Sequence, residues 1–216
     1  EAFEMAYAAT DSTAQQAFFD SLRLRQELLA TPSNELLATE IGQQFEAFLG
    51  TEAAYPYARE YAISLHYRAR TDEAIEVLDQ ELANPRSTAA NDAREQLFLL
   101  KAMILGLDSA AARSAMRELV RNGQSREAMA IALQLLTRHT EDSAELAEFL
   151  NELIARPTPH PLLGQMYYLR SQIALAHQQA DALELAEADA QLLLEQFPGL
   201  SEISSVYRLL ASAALR

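Results

Sequence analysis

Histidine and carboxylate side chains are the residues of this chain that could bind a metal ion or move a proton. A metal site on a helix needs two ligands one turn apart on the same face. The four histidines are His66, His139, His160 and His177. Because they are far apart in the sequence, no two of them have ligand spacing. We therefore expect surface or groove histidines and no metal site.

Two carboxylate pairs lie one helical turn apart, Glu73 with Glu76 and Glu184 with Glu187. Such a pair could supply a general acid and a general base, but only inside a pocket, and solvated helix faces explain both pairs. The chain has no cysteine, which excludes thiolate nucleophiles and disulfides. Its glycines are isolated, so no phosphate-binding loop and no Gly-x-Ser-x-Gly turn is present. We expect no catalytic residues, no cofactor and no enzymatic activity.

Tyrosines are the polar aromatic residues that could line a binding surface. They cluster at Tyr55, Tyr57, Tyr61 and Tyr67, and again at Tyr167 and Tyr168. A tyrosine offers a large apolar face and a hydroxyl group that forms hydrogen bonds, which suits a peptide groove. Packing within a helical core is the alternative and is favoured for each of them.

Charge and composition limit the classes of function. The net charge is −14 and the isoelectric point is near 4.7, so the basic surface that phosphate binding needs is absent and we expect no nucleic-acid partner. An acidic surface mainly keeps a protein soluble, and recruitment of a basic partner is the alternative. Alanine and leucine dominate the hydrophobic residues, which favours an all-α fold. No stretch approaches the ~20 apolar residues of a transmembrane helix.

Helix boundaries follow from capping residues and from glycine and proline breakers. The predicted helices are 12–30, 34–49, 52–69, 72–84, 87–106, 109–121, 125–138, 142–155, 161–178, 181–197 and 201–215, with a further short helix at 2–9. Gly50, Gly123 and Gly199 stand at predicted helix ends, where a left-handed residue is expected.

Apolar residues at positions i, i+3, i+4, i+7 and i+8 predict one buried face on several of these helices. The clearest stripes are Ala128, Ile131, Ala132, Leu135 and Leu136; then Leu146, Phe149, Leu150, Leu153 and Ile154; and finally Ile203, Val206, Tyr207, Leu210 and Ala211. Because the links are short, consecutive helices should pair as antiparallel hairpins.

Residues 58–82 resemble a tetratricopeptide repeat, a helical hairpin with small residues where its two helices cross. The residues that carry the resemblance are Tyr61, Ala62 and Leu65 on the first helix and Ala74 and Leu78 on the second. A second unit runs from Ala102 and Leu105 to Ala112 and Met116, about 38 residues further on, where the family repeats every 34 or so. Residues 167–199, with their LLLEQFPG ending, are similar to repeats of bacterial envelope-assembly proteins.

The resemblance implies an α–α superhelix, or solenoid, of about eleven helices in a single domain over 1–216. The resemblance covers residues 52–216, and the short link between the predicted helices at 12–30 and 34–49 adds residues 12–49 as an atypical N-terminal hairpin. The repeat hairpins would cover 52–197, and 201–215 would be a terminal capping helix. The family's Trp-Leu-Gly pattern is absent from the first helices.

The resemblance also implies a non-catalytic scaffold whose concave groove, lined by first helices, binds a protein or peptide. If Ala62 marks the crossing, helix geometry turns Arg59, Ile63 and His66 toward this groove. Tyr167 and Arg170 are the groove candidates of the C-terminal region. Family members that bind chaperone tails carry lysine and asparagine at such positions, so the arginine and isoleucine found here do not support that ligand.

An alternative function is a sensory, regulatory or oligomerisation segment of a longer chain, which would bind a small ligand or self-associate. The residues alone leave the compartment open, whereas the resemblance to envelope-assembly repeats favours export to the bacterial envelope over the cytoplasm.

Overall fold

The computed structural model of the chain describes residues 12–31, 34–83, 91–140, 142–177 and 180–214. Its helices are α1 (Thr13–Ala30), α2 (Glu35–Phe48), α3 (Ala54–Tyr67), α4 (Thr71–Ala83), α5 (Asn91–Ile104), α6 (Ala110–Asn122), α7 (Arg126–His139), α8 (Ser143–Ile154), α9 (Leu163–His177), α10 (Ala180–Gln196) and α11 (Ile203–Ala214). These described residues contain no strand. For the described part of the chain, the prediction of an all-α fold with about eleven helices is confirmed. The helix predicted at 2–9 lies outside the described residues.

The described residues form two compact units, the first ending at Leu135 and the second beginning at Leu136. In the first unit, each helix from α1 to α5 packs against the next one, and α3 also contacts α1 and α5. In the second unit, α9 packs against α8, α10 and α11, and α10 packs against α11. Packing between neighbouring helices is the arrangement of a helical solenoid. The single repeat domain over 1–216 stays a prediction.

Short polar side chains determine where several helices begin. The Asn34 carboxamide oxygen accepts hydrogen bonds from the second and third backbone N–H groups of α2 at 3.1 and 3.3 Å. Ser109 and Asp142 cap α6 and α8 in the same way. These side chains accept hydrogen bonds from backbone N–H groups that have no acceptor within the helix, and they therefore favour a helix start at these points.

The turn that leads into α7 is held by a residue from another helix. Glu95 of α5 is buried, and its carboxylate accepts hydrogen bonds from the backbone N–H groups of Gln124 at 2.5 Å and of Ser125 at 2.9 Å. A carboxylate at a helix N-terminus also interacts favourably with the helix dipole. Glu95 therefore links α5 to the turn between α6 and α7.

Glycine serves two different purposes in the turns. Gly50 and Gly106 have φ angles of 86° and 82°, the left-handed conformation that follows a helix. The expectation of a left-handed residue is wrong for Gly123, whose φ is −65°. A Cβ atom at Gly123 would lie 2.5 Å from the Leu119 carbonyl oxygen, so close packing explains this glycine. Gly199 likewise lacks a positive φ.

The first unit is built around α3, which is buried on most of its circumference. Ala58 and Ala62 on α3 and Ala74 on α4 are buried completely, at a place where the two helices pack closely. Residues without a long side chain let helix backbones approach each other. Tyr57 adds a polar link, since its hydroxyl donates to the Asp20 carboxylate of α1 at 2.9 Å.

The predicted stripes hold in part. The four residues Leu146, Phe149, Leu150 and Leu153 are buried as expected. On α7, however, Ile131 is exposed, and Met129 and Leu133 are buried instead. Two apolar stripes overlap on this helix. Packing determines which of the two is buried, and periodicity alone does not reveal this. On α11, Val206 is buried, but Tyr207 and Ala211 are exposed.

Candidate functional site

A cleft of about 570 Å³ lies between α1, α3 and α5 in the first unit. Its apolar lining consists of Leu28, Leu29, Ile63, Leu100, Met103 and Ile104. Its polar lining consists of Arg25, Glu60, Ser64, His66, Tyr67 and Arg68. These three helices alternate along the chain with α2 and α4, and α3 packs against both α1 and α5. A volume of this size falls within the range typical of ligand-binding sites.

Large apolar side chains remain exposed where the cleft meets solvent. Leu29 of α1 is 68% exposed, Tyr67 of α3 is 75% exposed and Met103 of α5 is 59% exposed. Single exposed apolar residues are ordinary, but one from each of three adjacent helices around one cleft forms a contiguous surface. This surface has the composition expected at the core of a protein interface, where aromatic residues and methionine are enriched.

A buried carboxylate lies in the wall of the cleft. Glu60 is only 2% exposed, and two guanidinium groups are near its side chain. The Nε atom of Arg59 is 3.7 Å from Oε1 of Glu60, and the Nε atom of Arg25 is 4.0 Å from Oε2. Both separations exceed hydrogen-bond length. Glu60 is thus a buried ionisable group with two opposite charges close to it, neither of them in hydrogen-bonding contact.

Burial raises the pKa of Glu60 above its usual value, because the charged form loses hydration. The positive charges of Arg59 and Arg25 act in the opposite direction and compensate only in part. The side chains of Arg25 and Arg59 are 42% and 34% exposed, so water screens their attraction for the carboxylate. Ionised Glu60 is therefore a destabilising charge in the folded first unit.

Arg68 lines the cleft but is held by other groups. Its guanidinium donates to the carbonyl and hydroxyl oxygens of Ser64 and to the carbonyl oxygen of Asn34 at 2.8 Å. These contacts tie the C-terminal end of α3 to the N-terminal end of α2. Arg68 consequently serves the packing of the two helices and has few donors left for a ligand.

Two of the three predicted groove residues of α3 line this cleft. Ile63 and His66 line it, and Nδ1 of His66 lies 3.3 Å from the Thr71 hydroxyl. Arg59 is next to Glu60 and pairs with it. Ile63 and His66 are thus part of the cleft lining, and Arg59 lies beside it against Glu60. The contact of these three residues with a partner stays a prediction.

Tyr167 and Arg170 lie on α9 in the second unit. The Arg170 guanidinium donates to both carboxylate oxygens of Asp189, at 2.7 and 2.8 Å, and to the Asn151 side-chain oxygen at 2.8 Å. It also lies over the Tyr167 ring, 5.2 Å from the ring centroid. The polar groups of Arg170 therefore already have partners within its own unit.

Sequence reasoning missed Arg25, Glu60 and Met103, which the structure adds to the cleft. One signal for Glu60 was present in the sequence. Glu60 lies on the same side of α3 as Tyr57 and Ser64, and few residues of this helix are polar enough to form a solvent-exposed face. A charged residue at such a position indicates a buried charge. No comparable signal marks Arg25 or Met103, because their positions depend on how separate helices pack.

The sequence matches no protein-family model, and comparison with curated proteins and with solved structures finds no match. Within the described residues, no group of three or more histidine, aspartate or glutamate side chains could hold a metal ion. In the same part of the chain, no helix combines the length and the apolarity that crossing a bilayer requires. The charged residues in the cleft lining are Arg25, Arg68 and the buried Glu60.

Replacing Glu60 by glutamine should stabilise the first unit at neutral pH by on the order of 1 kcal/mol, because it removes a buried charge and keeps the side-chain volume. The raised pKa of Glu60 means that the folded state gains stability as the carboxylate is protonated, and loses it as the pH rises through that pKa.

The advantage of Glu60→Gln should therefore be largest at neutral pH and shrink as the pH falls toward about 4.5, the ordinary pKa of glutamate. Urea unfolding of both proteins over this pH range measures the effect. Glu76→Gln, on an exposed face of α4, is the matched control and should change little. A constant difference between Glu60→Gln and the wild type at all pH values would contradict the assignment.

Proposed function

We propose that the chain is a non-catalytic scaffold that binds a segment of a protein or peptide partner in the cleft between α1, α3 and α5. The observation that carries the proposal is the exposed apolar surface formed by Leu29, Tyr67 and Met103 around the cleft between α1, α3 and α5. Burial of these side chains by a partner would be favourable, at ~25 cal/mol for each Å² of apolar surface removed from water.

The similarity of residues 58–82 to a tetratricopeptide repeat supports this role, since such repeats mostly serve as scaffolds for protein contacts. The groove candidates Arg59, Ile63 and His66 lie at or beside the cleft. Tyr167 and Arg170 would contribute a contact of their own in the second unit.

A peptide library displayed on phage tests the proposal, with the whole chain as the immobilised target. We expect the selected peptides to carry apolar residues at helical spacing and to bind in the micromolar range. Met103→Asp, at the edge of the cleft, should lower their affinity at least ~tenfold, because a charge would be buried against the bound segment.

Leu36→Asp is the matched control for this experiment. Leu36 is 83% exposed on α2 and does not line the cleft, so its replacement by aspartate should leave the affinity unchanged. A selection that enriches no peptide above background would argue against a peptide-binding scaffold. Equal affinities for the wild type and for Met103→Asp would show that the cleft is not the binding site.

A further inference from the structure

The arginines beside the cleft have unused hydrogen-bonding capacity. Among the described residues, Glu60 is the only charged partner of Arg25 and of Arg59, and both contacts are longer than a hydrogen bond. A guanidinium group carries five N–H donors in a planar fork that matches a carboxylate. The two side chains are partly exposed, so an incoming ligand can reach them.

The balance of charge at this point is opposite to that of the whole chain. Arg25 and Arg59 carry two positive charges against the one negative charge of Glu60, whereas the chain carries a net charge of −14. Arg68 adds a further positive charge to the cleft lining. A basic ligand group placed beside Glu60 would lie close to two guanidinium groups, and like charges in a partly desolvated site repel each other. The local charge therefore favours an anionic group.

The size of the surface favours a peptide over a small molecule. Helices that pack together lie about 8–10 Å apart, so three adjacent helices present a surface ~20 Å across. This distance corresponds to ~13 residues of an α-helix. The exposed apolar residues Leu29, Tyr67 and Met103, one from each of these helices, are distributed over this surface.

We propose that the cleft binds an apolar helical segment of a partner that carries one acidic side chain, whose carboxylate replaces Glu60 as the partner of Arg25 and Arg59. The inference rests on the proposed scaffold function and adds the chemistry of the bound segment. Bidentate contacts between arginine and carboxylate are stronger than the long contacts that Glu60 makes. Glu60 then acts as an internal competitor that keeps the two guanidinium groups in place when the cleft is empty.

Selection from the same peptide library, with peptides of about 15 residues, tests the inference. We expect peptides selected on the wild type to carry glutamate or aspartate within the apolar stripe. The double variant Arg25→Gln/Arg59→Gln should bind such a peptide about tenfold to a hundredfold more weakly. Changing the acidic residue of the peptide to glutamine should have a similar effect, and the two changes together should add little, because they remove the same interaction.

Glu60→Gln provides a test that a purely structural role would not satisfy. This variant removes the competing carboxylate, so it should bind the acidic peptide about threefold to tenfold more tightly than the wild type. Its affinity for the glutamine version of the peptide should be unchanged. Circular dichroism and urea unfolding of each variant establish that the fold is retained.

The outcomes separate this inference from the scaffold function. Selected peptides that bind equally well with glutamate or glutamine overturn the inference and leave the scaffold function standing. Weaker binding of the acidic peptide to Glu60→Gln also overturns it. A third outcome is that no peptide is selected, but laurate binds to the wild type and not to Arg25→Gln/Arg59→Gln. The cleft would then be a binding site for an anionic amphiphile, and both proposals would fail.

Discussion

Arg170→Ala is expected to lower the free energy of unfolding of the second unit by about 3–5 kcal/mol. Asp189 is only 3% exposed, and Arg170 donates to both of its carboxylate oxygens. Without the guanidinium group, a buried carboxylate would be left with no opposite charge. The same substitution also removes the contact with Asn151, so links from α9 to both α8 and α10 are lost together.

Urea unfolding followed by circular dichroism measures this loss, and hydrogen exchange of α8, α9 and α10 assigns it to the second unit. Hydrogen bonding to Asp189 raises the pKa of Arg170, so the arginine stays charged and the loss should not depend on pH between neutral and mildly alkaline values.

Arg170→Met/Asp189→Leu is the matched control, because it removes both charges and fills the space with apolar atoms. This double variant should recover much of the stability that Arg170→Ala loses. A loss below ~1 kcal/mol for Arg170→Ala would show that the pair is solvated and contributes little. Equal losses for both variants would assign the effect to packing.

Leu78→Ala is expected to lower the free energy of unfolding of the first unit by about 2–5 kcal/mol. Leu78 of α4 is completely buried and belongs to the apolar core that also contains Ala62, Leu65 and Ala74. Truncation removes apolar contacts and leaves a cavity, which the surrounding helices fill only in part.

Leu36→Ala is the matched control, since it makes the same chemical change at an exposed position of α2. Its effect should stay within about 0.5 kcal/mol of zero. Urea unfolding of both variants provides the comparison. Similar effects of the two substitutions would contradict the assignment of Leu78 to the core.

The helices were predictable because their signals are local. Asn34, Ser109 and Asp142 cap helices within a few residues of their own positions, and such capping can be inferred directly from the residue types. The errors arise where a signal depends on packing. Ile131 on α7 and Tyr207 on α11 fit an apolar period, but both are exposed, whereas Met129 and Leu133 on α7 and Val206 on α11 are buried.

Cleft residues were predictable only on α3, because the position of Ala62 gives the orientation of that helix. The position of Ala62 sets the orientation of α3, and Ile63 and His66 follow from it by helix geometry. Arg25 and Met103 come from α1 and α5, and their distance from Glu60 is set by contacts between helices that are not consecutive in the chain. No periodic pattern of residues in a single sequence indicates such contacts.

The contact between Glu95 and the turn before α7 has a consequence for the order in which the parts of the first unit fold. The turn that leads into α7 finds its acceptor only when α5 is in place, because Gln124 and Ser125 donate to a side chain some 30 residues earlier. During synthesis from the N-terminus, α5 emerges before α7. The turn before α7 can therefore form these hydrogen bonds to a helix that has already been synthesised.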